Sequence, residues 1–176
     1  MVSAPLAVLV GPPGSGKTQA GRALARLLGV TFLDTDEAVE QTAGRSVADI
    51  FVDDGEAVFR ELERAAVASA LAEERGVVSL GGGAVLDAGT RSRLEGLAVV
   101  FLDVGIADAS RRIGFDRSRP LLGINPRASW IALMNERRPT YEAVGTVRVD
   151  TAGRTPEEVA ETVAAALALT GPRSGA

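Results

Sequence analysis

One lysine, Lys17, stands among 19 basic residues, and it falls within Gly11-Pro12-Pro13-Gly14-Ser15-Gly16-Lys17-Thr18. The octapeptide fits G-x-x-x-x-G-K-[ST], a pattern whose chemistry is phosphate binding. Glycines let the main chain wrap an anion so that successive N–H groups point at it. The lysine reaches the β- and γ-phosphates of a nucleoside triphosphate, and the Thr18 hydroxyl suits Mg²⁺. A plain strand-to-helix turn would need only the glycines. It would not explain why a chain with 18 arginines keeps its one lysine here. Gly14, Ser15, Gly16, Lys17, Thr18 and the adjoining Gln19 are the candidate nucleotide contacts.

The pattern names a nucleotide and leaves the reaction open. Guanine recognition through Asn-Lys-x-Asp is excluded, because the only lysine is already placed. The chain has no histidine and no cysteine, which removes imidazole acid–base chemistry, thiolate nucleophiles, disulfides and thiolate metal sites. A carboxylate is then the expected base. Asp34 and Asp36 are spaced to share one edge of a site, where hard oxygens suit Mg²⁺ or an acceptor hydroxyl; Asp at a helix start also serves as an N-cap. Arg60 fits either a ligand contact or a helix pair with Glu56 or Glu63. Gly81-Gly82-Gly83 reads as a turn, or as a place where backbone N–H groups approach a ligand that a β-carbon would block. Arg117 and Arg119 can clamp phosphates or simply solubilise a loop.

These residues need a scaffold. Leu6–Val10 reads as a strand buried on both faces, followed by a helix from Lys17 to the cap Gly29, then a strand at 31–33. Helices are expected over Glu37–Thr42, Val47–Val52 (with Ser46 and Asp49 as a capping box) and Glu56–Glu74, whose stripe Val58, Leu62, Ala66, Ala70 is expected to face the core. Strands follow at 77–80, 98–102 and 147–149. Helices follow at 90–94, 106–112, 128–136 and from Pro156, with Val159, Val163 and Leu167 inward. Residues 114–126 lack periodicity and are long for a passive connection, so they read as a lid. Strand–helix alternation implies an α/β fold with a central parallel sheet covered on both faces, and ligands at the carboxyl ends of the strands.

With 176 residues, the expectation is one domain over 1–170 and a disordered tail over 171–176. A net charge of −4 argues against general nucleic-acid binding and leaves small anions as ligands. Met1–Val10 lacks the basic head and apolar stretch of a secretory signal, and no apolar run reaches ~20 residues, so a cytoplasmic location is expected.

The phosphate loop, Asp34-Thr35-Asp36, Gly44-Arg45-Ser46 leading to Ile50-Phe51, Phe59-Arg60-x-x-Glu63, Ser79-Leu80-Gly81-Gly82-Gly83, Arg119-Pro120-Leu121-Leu122 and Arg137-x-Pro139-x-Tyr141 occur in one order. In that order and spacing the chain resembles the shikimate kinases, from Leu6 to about Pro156. The resemblance implies a monomeric kinase of the nucleoside-monophosphate-kinase-like class, with sheet order 2-3-1-4-5 and a mobile lid. It implies transfer of the γ-phosphoryl group of ATP to the 3-hydroxyl of shikimate, with Mg²⁺, in aromatic amino acid biosynthesis. It assigns Asp36 to the acceptor hydroxyl and Asp34, with Thr18, to the metal. Arg60 and Arg137 would grip the shikimate carboxylate, with Arg138 as the alternative to Arg137. Gly81, Gly82 and Gly83 would line that pocket with backbone N–H groups. Arg119 would close with the lid onto the ATP phosphates beside Lys17, and Arg112 and Arg154 would flank the adenine. Other metabolite kinases, of gluconate or a nucleoside monophosphate, and nucleotide-binding switch proteins are the competing classes.

Overall fold

Odd and even residues of the first strand serve different cores. Ala7 and Leu9 of β1 (Ala7–Val10) point to one side, Val8 and Val10 to the other, and all four are buried. Such a strand must be covered twice. The computed structural model describes residues 4–114, 124–169 and 171, and it covers β1 with helices on both faces. The sheet is parallel throughout, in the order β2-β3-β1-β4-β5, with β2 at Phe32–Asp34, β3 at Val77–Ser79, β4 at Val99–Asp103 and β5 at Val147–Asp150. This is the order that the resemblance implies.

Helices α1 (Lys17–Leu28) and α8 (Pro156–Ala166) pack on one face, where Ala20, Leu24, Leu28, Val159 and Val163 meet Leu9, Val100 and Leu102. On the other lie α4 (Glu56–Glu73), α5 (Ala88–Leu94), α6 (Ile106–Ile113) and α7 (Pro126–Val144). Val67, Leu71, Leu94, Trp130, Met134 and Tyr141 close over Val78, Val99 and Phe101. A smaller core of Val39, Ile50 and Phe59 joins α2 (Thr35–Ala43), α3 (Val47–Asp54) and α4.

Three expectations change. The buried stripe of α4 is Phe59, Glu63, Val67, Ala70 and Leu71, while Val58 is 39% exposed. The helix is rotated because two neighbours claim it: the sheet core takes Val67 and Leu71, and the small core takes Phe59 with Leu62 and Ala66 at its edge. Helix α7 runs through Pro139 to Val144, well beyond Glu136. Proline removes one intrahelical hydrogen bond, but Met134 before it and Tyr141 after it are anchored in the same core. At Ser46 only one half of the capping box forms: its hydroxyl accepts from the Asp49 N–H, while the Val47 N–H donates to Glu40. The complete box is at α8, between Thr155 and Glu158. Of the expected lid, Gly114 ends α6 and Asn125 caps α7; residues 115–123, which include Arg117 and Arg119, lie outside the described residues. No described helix is long and apolar enough to cross a membrane.

Candidate active site

The carboxyl ends of β2, β3 and β1 lie side by side, and each delivers one piece of the site. After β1, Gly14 and Gly16 take positive φ angles of 80° and 82°, which a β-carbon would strain, and the loop turns into the first residues of α1. Lys17 is the first residue of that helix, and its Nζ donates to the carbonyls of Gly11 and Pro12, at 2.8 and 3.1 Å. The amine therefore stays over its own loop. A cavity of about 670 Å³ opens there, lined by residues 13–19, Asp34, Asp36, Gly82, Arg112 and Arg154, and also by Glu37, Glu40 and Thr151.

Asp34 ends β2 and caps α2. One carboxylate oxygen accepts from the N–H groups of Asp36 and Glu37, and the other accepts from the Thr18 hydroxyl at 2.7 Å. The capping alternative thus holds for Asp34 without removing it from the cavity. Helix α2 begins at Thr35, so Asp36 falls in its first turn. Thr18 and Asp34 present hard oxygen donors of the kind that suits Mg²⁺. Among the described residues no three His, Cys, Asp or Glu side chains cluster to hold a metal by themselves.

The glycine triplet after β3 is where Asp36, Glu63, Arg60 and Arg137 meet. A β-carbon on Gly81 would stand 2.6 Å from Asp36 Oδ1 and 2.8 Å from Glu63 Oε2. One on Gly83 would stand 2.5 Å from both terminal nitrogens of Arg60, and one on Gly82 would be 3.4 Å from Arg137 Nη1 and 3.3 Å from Pro13 Cδ. Each glycine gives room to a different charged side chain. The Gly81 N–H, expected to serve a ligand, donates instead to Thr35 Oγ1 at 3.1 Å.

Arg60 is ion-paired to Glu63 at 2.7 Å and to Glu56 at 3.4 Å, the helix pairs that its spacing allowed, and still faces Gly83. Burial pushes the Glu63 carboxyl above its ordinary value, against the pull of Arg60 and Arg137. Arg137 is itself buried. Arg138 points elsewhere, to Asp103, with its two prongs at 2.9 and 3.0 Å. On the opposite flank, Arg112 donates to the Gly14 carbonyl and to Thr151, and Arg154 to the carbonyls of Asp150 and Glu158.

The cavity and the triplet thus gather the described site candidates apart from Arg138, which turns to Asp103; Arg60, Gly81, Gly83 and Arg137 meet at the triplet and do not line the cavity. Glu63, Thr35, Thr151 and Trp130 were not singled out. In the sequence Glu63 figures as an ion-pair partner of Arg60 and in the Phe59-Arg60-x-x-Glu63 motif, without a role of its own, and an acid one turn after the apolar Phe59 is the available signal. Trp130, whose Nε1–H donates to the Pro13 carbonyl at 2.8 Å, carried no signal beyond helical spacing.

A family model described as shikimate kinase matches residues 13–168. The shikimate kinase of Salinispora arenicola (strain CNS-205) is 59% identical over 165 residues, covering 94% of this chain and 99% of its own. That of Thermobifida fusca (strain YX) is 56% identical over 171 residues, covering 97% and 99%. A solved structure, shikimate kinase from Acinetobacter baumannii in complex with shikimate, has a TM-score of 0.89 at 33% identity, covering 94% of this chain and 93% of that one. Relatives more than half identical run the length of the fold, and the family model reaches from the phosphate loop to the last helix, so the chain belongs to the shikimate kinase family.

Proposed function

We propose that the chain transfers the γ-phosphoryl group of ATP to the 3-hydroxyl of shikimate, giving shikimate 3-phosphate and ADP for aromatic amino acid biosynthesis. The observation that carries the reading is the meeting of Asp36, Glu63, Arg60 and Arg137 around Gly81–Gly83, with Gly82 in contact range of Pro13 of the phosphate loop. A substrate that has both a carboxylate and hydroxyls needs such a mixture. The arginine forks bind its carboxylate, each charge-assisted hydrogen bond contributing ~1.5–3 kcal/mol, and an acidic oxygen receives its hydroxyl.

In this reading the loop N–H groups and Lys17 hold the phosphates, with Gly14, Ser15, Gly16 and Gln19 as contacts. Arg112 and Arg154 flank the adenine. Thr18 and Asp34 hold Mg²⁺, which when bound neutralises charge on the β- and γ-phosphates. Asp36 orients the acceptor hydroxyl and takes its proton late, as suits a loose transition state. Arg60, Arg137 and the triplet hold shikimate. Arg119, within a lid at about 114–126 of a single domain over 1–170, meets the phosphates on closure. The protein works as a cytoplasmic monomer on small molecules; a net charge of −4 supports that choice over nucleic acid.

Incubation with ATP, Mg²⁺ and shikimate should yield the 3-phosphate by mass spectrometry, whereas gluconate and AMP should yield no phosphorylated product. ADP release that does not depend on shikimate would overturn the reading.

A further inference from the structure

Trp130, Met134, Arg137 and Tyr141 recur every three to four residues along α7 and are all buried. The two at the ends do more than pack. Trp130 Nε1–H donates to the Pro13 carbonyl at 2.8 Å, and the Tyr141 hydroxyl donates to the Gly82 carbonyl at 2.5 Å. Both acceptors are main-chain oxygens, one in the phosphate loop and one in the glycine triplet, and Pro13 and Gly82 are themselves neighbours.

A trans peptide unit is planar, and its C=O points opposite to the N–H of the next residue. None of the described peptide bonds is cis. Fixing the Pro13 carbonyl toward α7 therefore turns the Gly14 N–H the other way, and Gly14 lines the nucleotide cavity. Fixing the Gly82 carbonyl turns the Gly83 N–H away from α7 in the same manner, and Arg60 stands against the side of Gly83 where a β-carbon would lie. Burial pushes the Tyr141 phenol above its ordinary value, so it remains a donor at neutral pH.

We infer that Trp130 and Tyr141 are positioning residues for the transfer, each holding one peptide plane from the same helix: Trp130 aims the Gly14 N–H at the phosphates, and Tyr141 aims the Gly83 N–H at the acceptor. Residues 130 and 141 are about 16 Å apart along α7 at 1.5 Å per residue, and their side chains converge on the neighbouring Pro13 and Gly82 carbonyls. One rigid element thereby sets the orientation of both cradles. The inference rests on the two-sided site proposed above, and its nucleotide arm needs no shikimate.

Trp130→Phe and Tyr141→Phe each keep an aromatic ring and lose the donor. Calorimetric titration with ADP alone should show Trp130→Phe weakened by about three- to tenfold, the scale of one hydrogen bond, with Tyr141→Phe near wild type. Steady-state rates should show the converse for the KM of shikimate. A purely structural role would lower the melting temperature of both variants and leave both constants unchanged at a temperature where they are folded; that result overturns the inference, and so does an equal weakening of both ligands in each variant. If Trp130→Phe fails to fold, the Tyr141→Phe arm decides. A wild-type protein without shikimate-dependent turnover would instead sink the functional reading and leave the ADP arm intact.

Discussion

Arg138 holds Asp103 with both prongs of its guanidinium, and the residue before it, Arg137, faces Gly82. Adjacent residues on a helix point about 100° apart, so committing one fixes the other. Arg137→Lys should raise the KM for shikimate at least tenfold and leave that for ATP near wild type, since a point charge cannot replace the fork. Arg138→Lys should lower the melting temperature with only a small change in shikimate affinity. The reverse pattern in steady-state kinetics would exchange the two assignments.

Asp103 also accepts from Arg148, so one carboxylate ties β4 to α7 and β5. Burial alone would raise its pKa, but the bonds from Arg138 and Arg148 overcome this and hold it below the ordinary value. A depressed carboxylate contributes stability that is fully present above its unfolded value, near pH 4, and lost as pH falls through the folded value. Asp103→Asn should therefore be less stable than wild type at pH 7, and the gap should narrow as pH falls below about 4. The gap should be about 1.5–3 kcal/mol, toward the lower end because Arg138 and Arg148 are 36% and 61% exposed. Denaturant melts across that range measure it; a gap that does not change with pH counts against the charged pairs.

In the proposed mechanism Asp34 and Asp36 divide metal side from acceptor side. Asp36→Asn should lower kcat by roughly 10²-fold or more, with ADP affinity in the absence of shikimate near wild type. Asp34→Asn keeps an oxygen that can cap α2 but loses the charge and the second oxygen that accepts from Thr18, and should raise the Mg²⁺ concentration for half-maximal rate. A magnesium titration of both variants checks this: rescue of Asp36→Asn by excess Mg²⁺, without rescue of Asp34→Asn, would mean that the roles are exchanged.

Lys17→Met should abolish turnover and keep a wild-type fold by circular dichroism, because its amine reaches the carbonyls of Gly11 and Pro12 over the cavity and its side chain is not part of the buried core. Arg119→Ala should lower kcat with little effect on the binding of either substrate, as a contact made mainly after closure would. Equal losses in binding and rate would mark Arg119 as a standing contact.

The nucleotide side was legible because its chemistry is local: a loop of eight consecutive residues carries the whole phosphate cradle, and the apolar strand before it carries the sheet. The proposed acceptor side is assembled from α2, α4, the loop after β3 and α7, and only the family resemblance joined those pieces. Spacing misplaced the face of α4 because Glu63, a buried acid, interrupts the apolar stripe that periodicity looks for, and Leu62 and Ala66 belong to a different core. Arg137-Arg138-Pro139 read as a helix end by local rules, yet tertiary packing of Met134 and Tyr141 carries α7 past the proline. Trp130 escaped notice because a hydrogen bond to a distant main-chain oxygen leaves no trace in composition or period.

Val39, Ile50 and Phe59 form a core apart from the two that clamp the sheet. That core carries α2, with Asp36, and the first turns of α4, with Arg60, while Lys17 and Thr18 sit on α1 over a different core. Mutations that repack the small core can tilt the acceptor-side acid and arginine while the phosphate cradle stays in place. On the proposed roles, acceptor choice and nucleotide hold rest on separate cores, so a change of the first need not disturb the second.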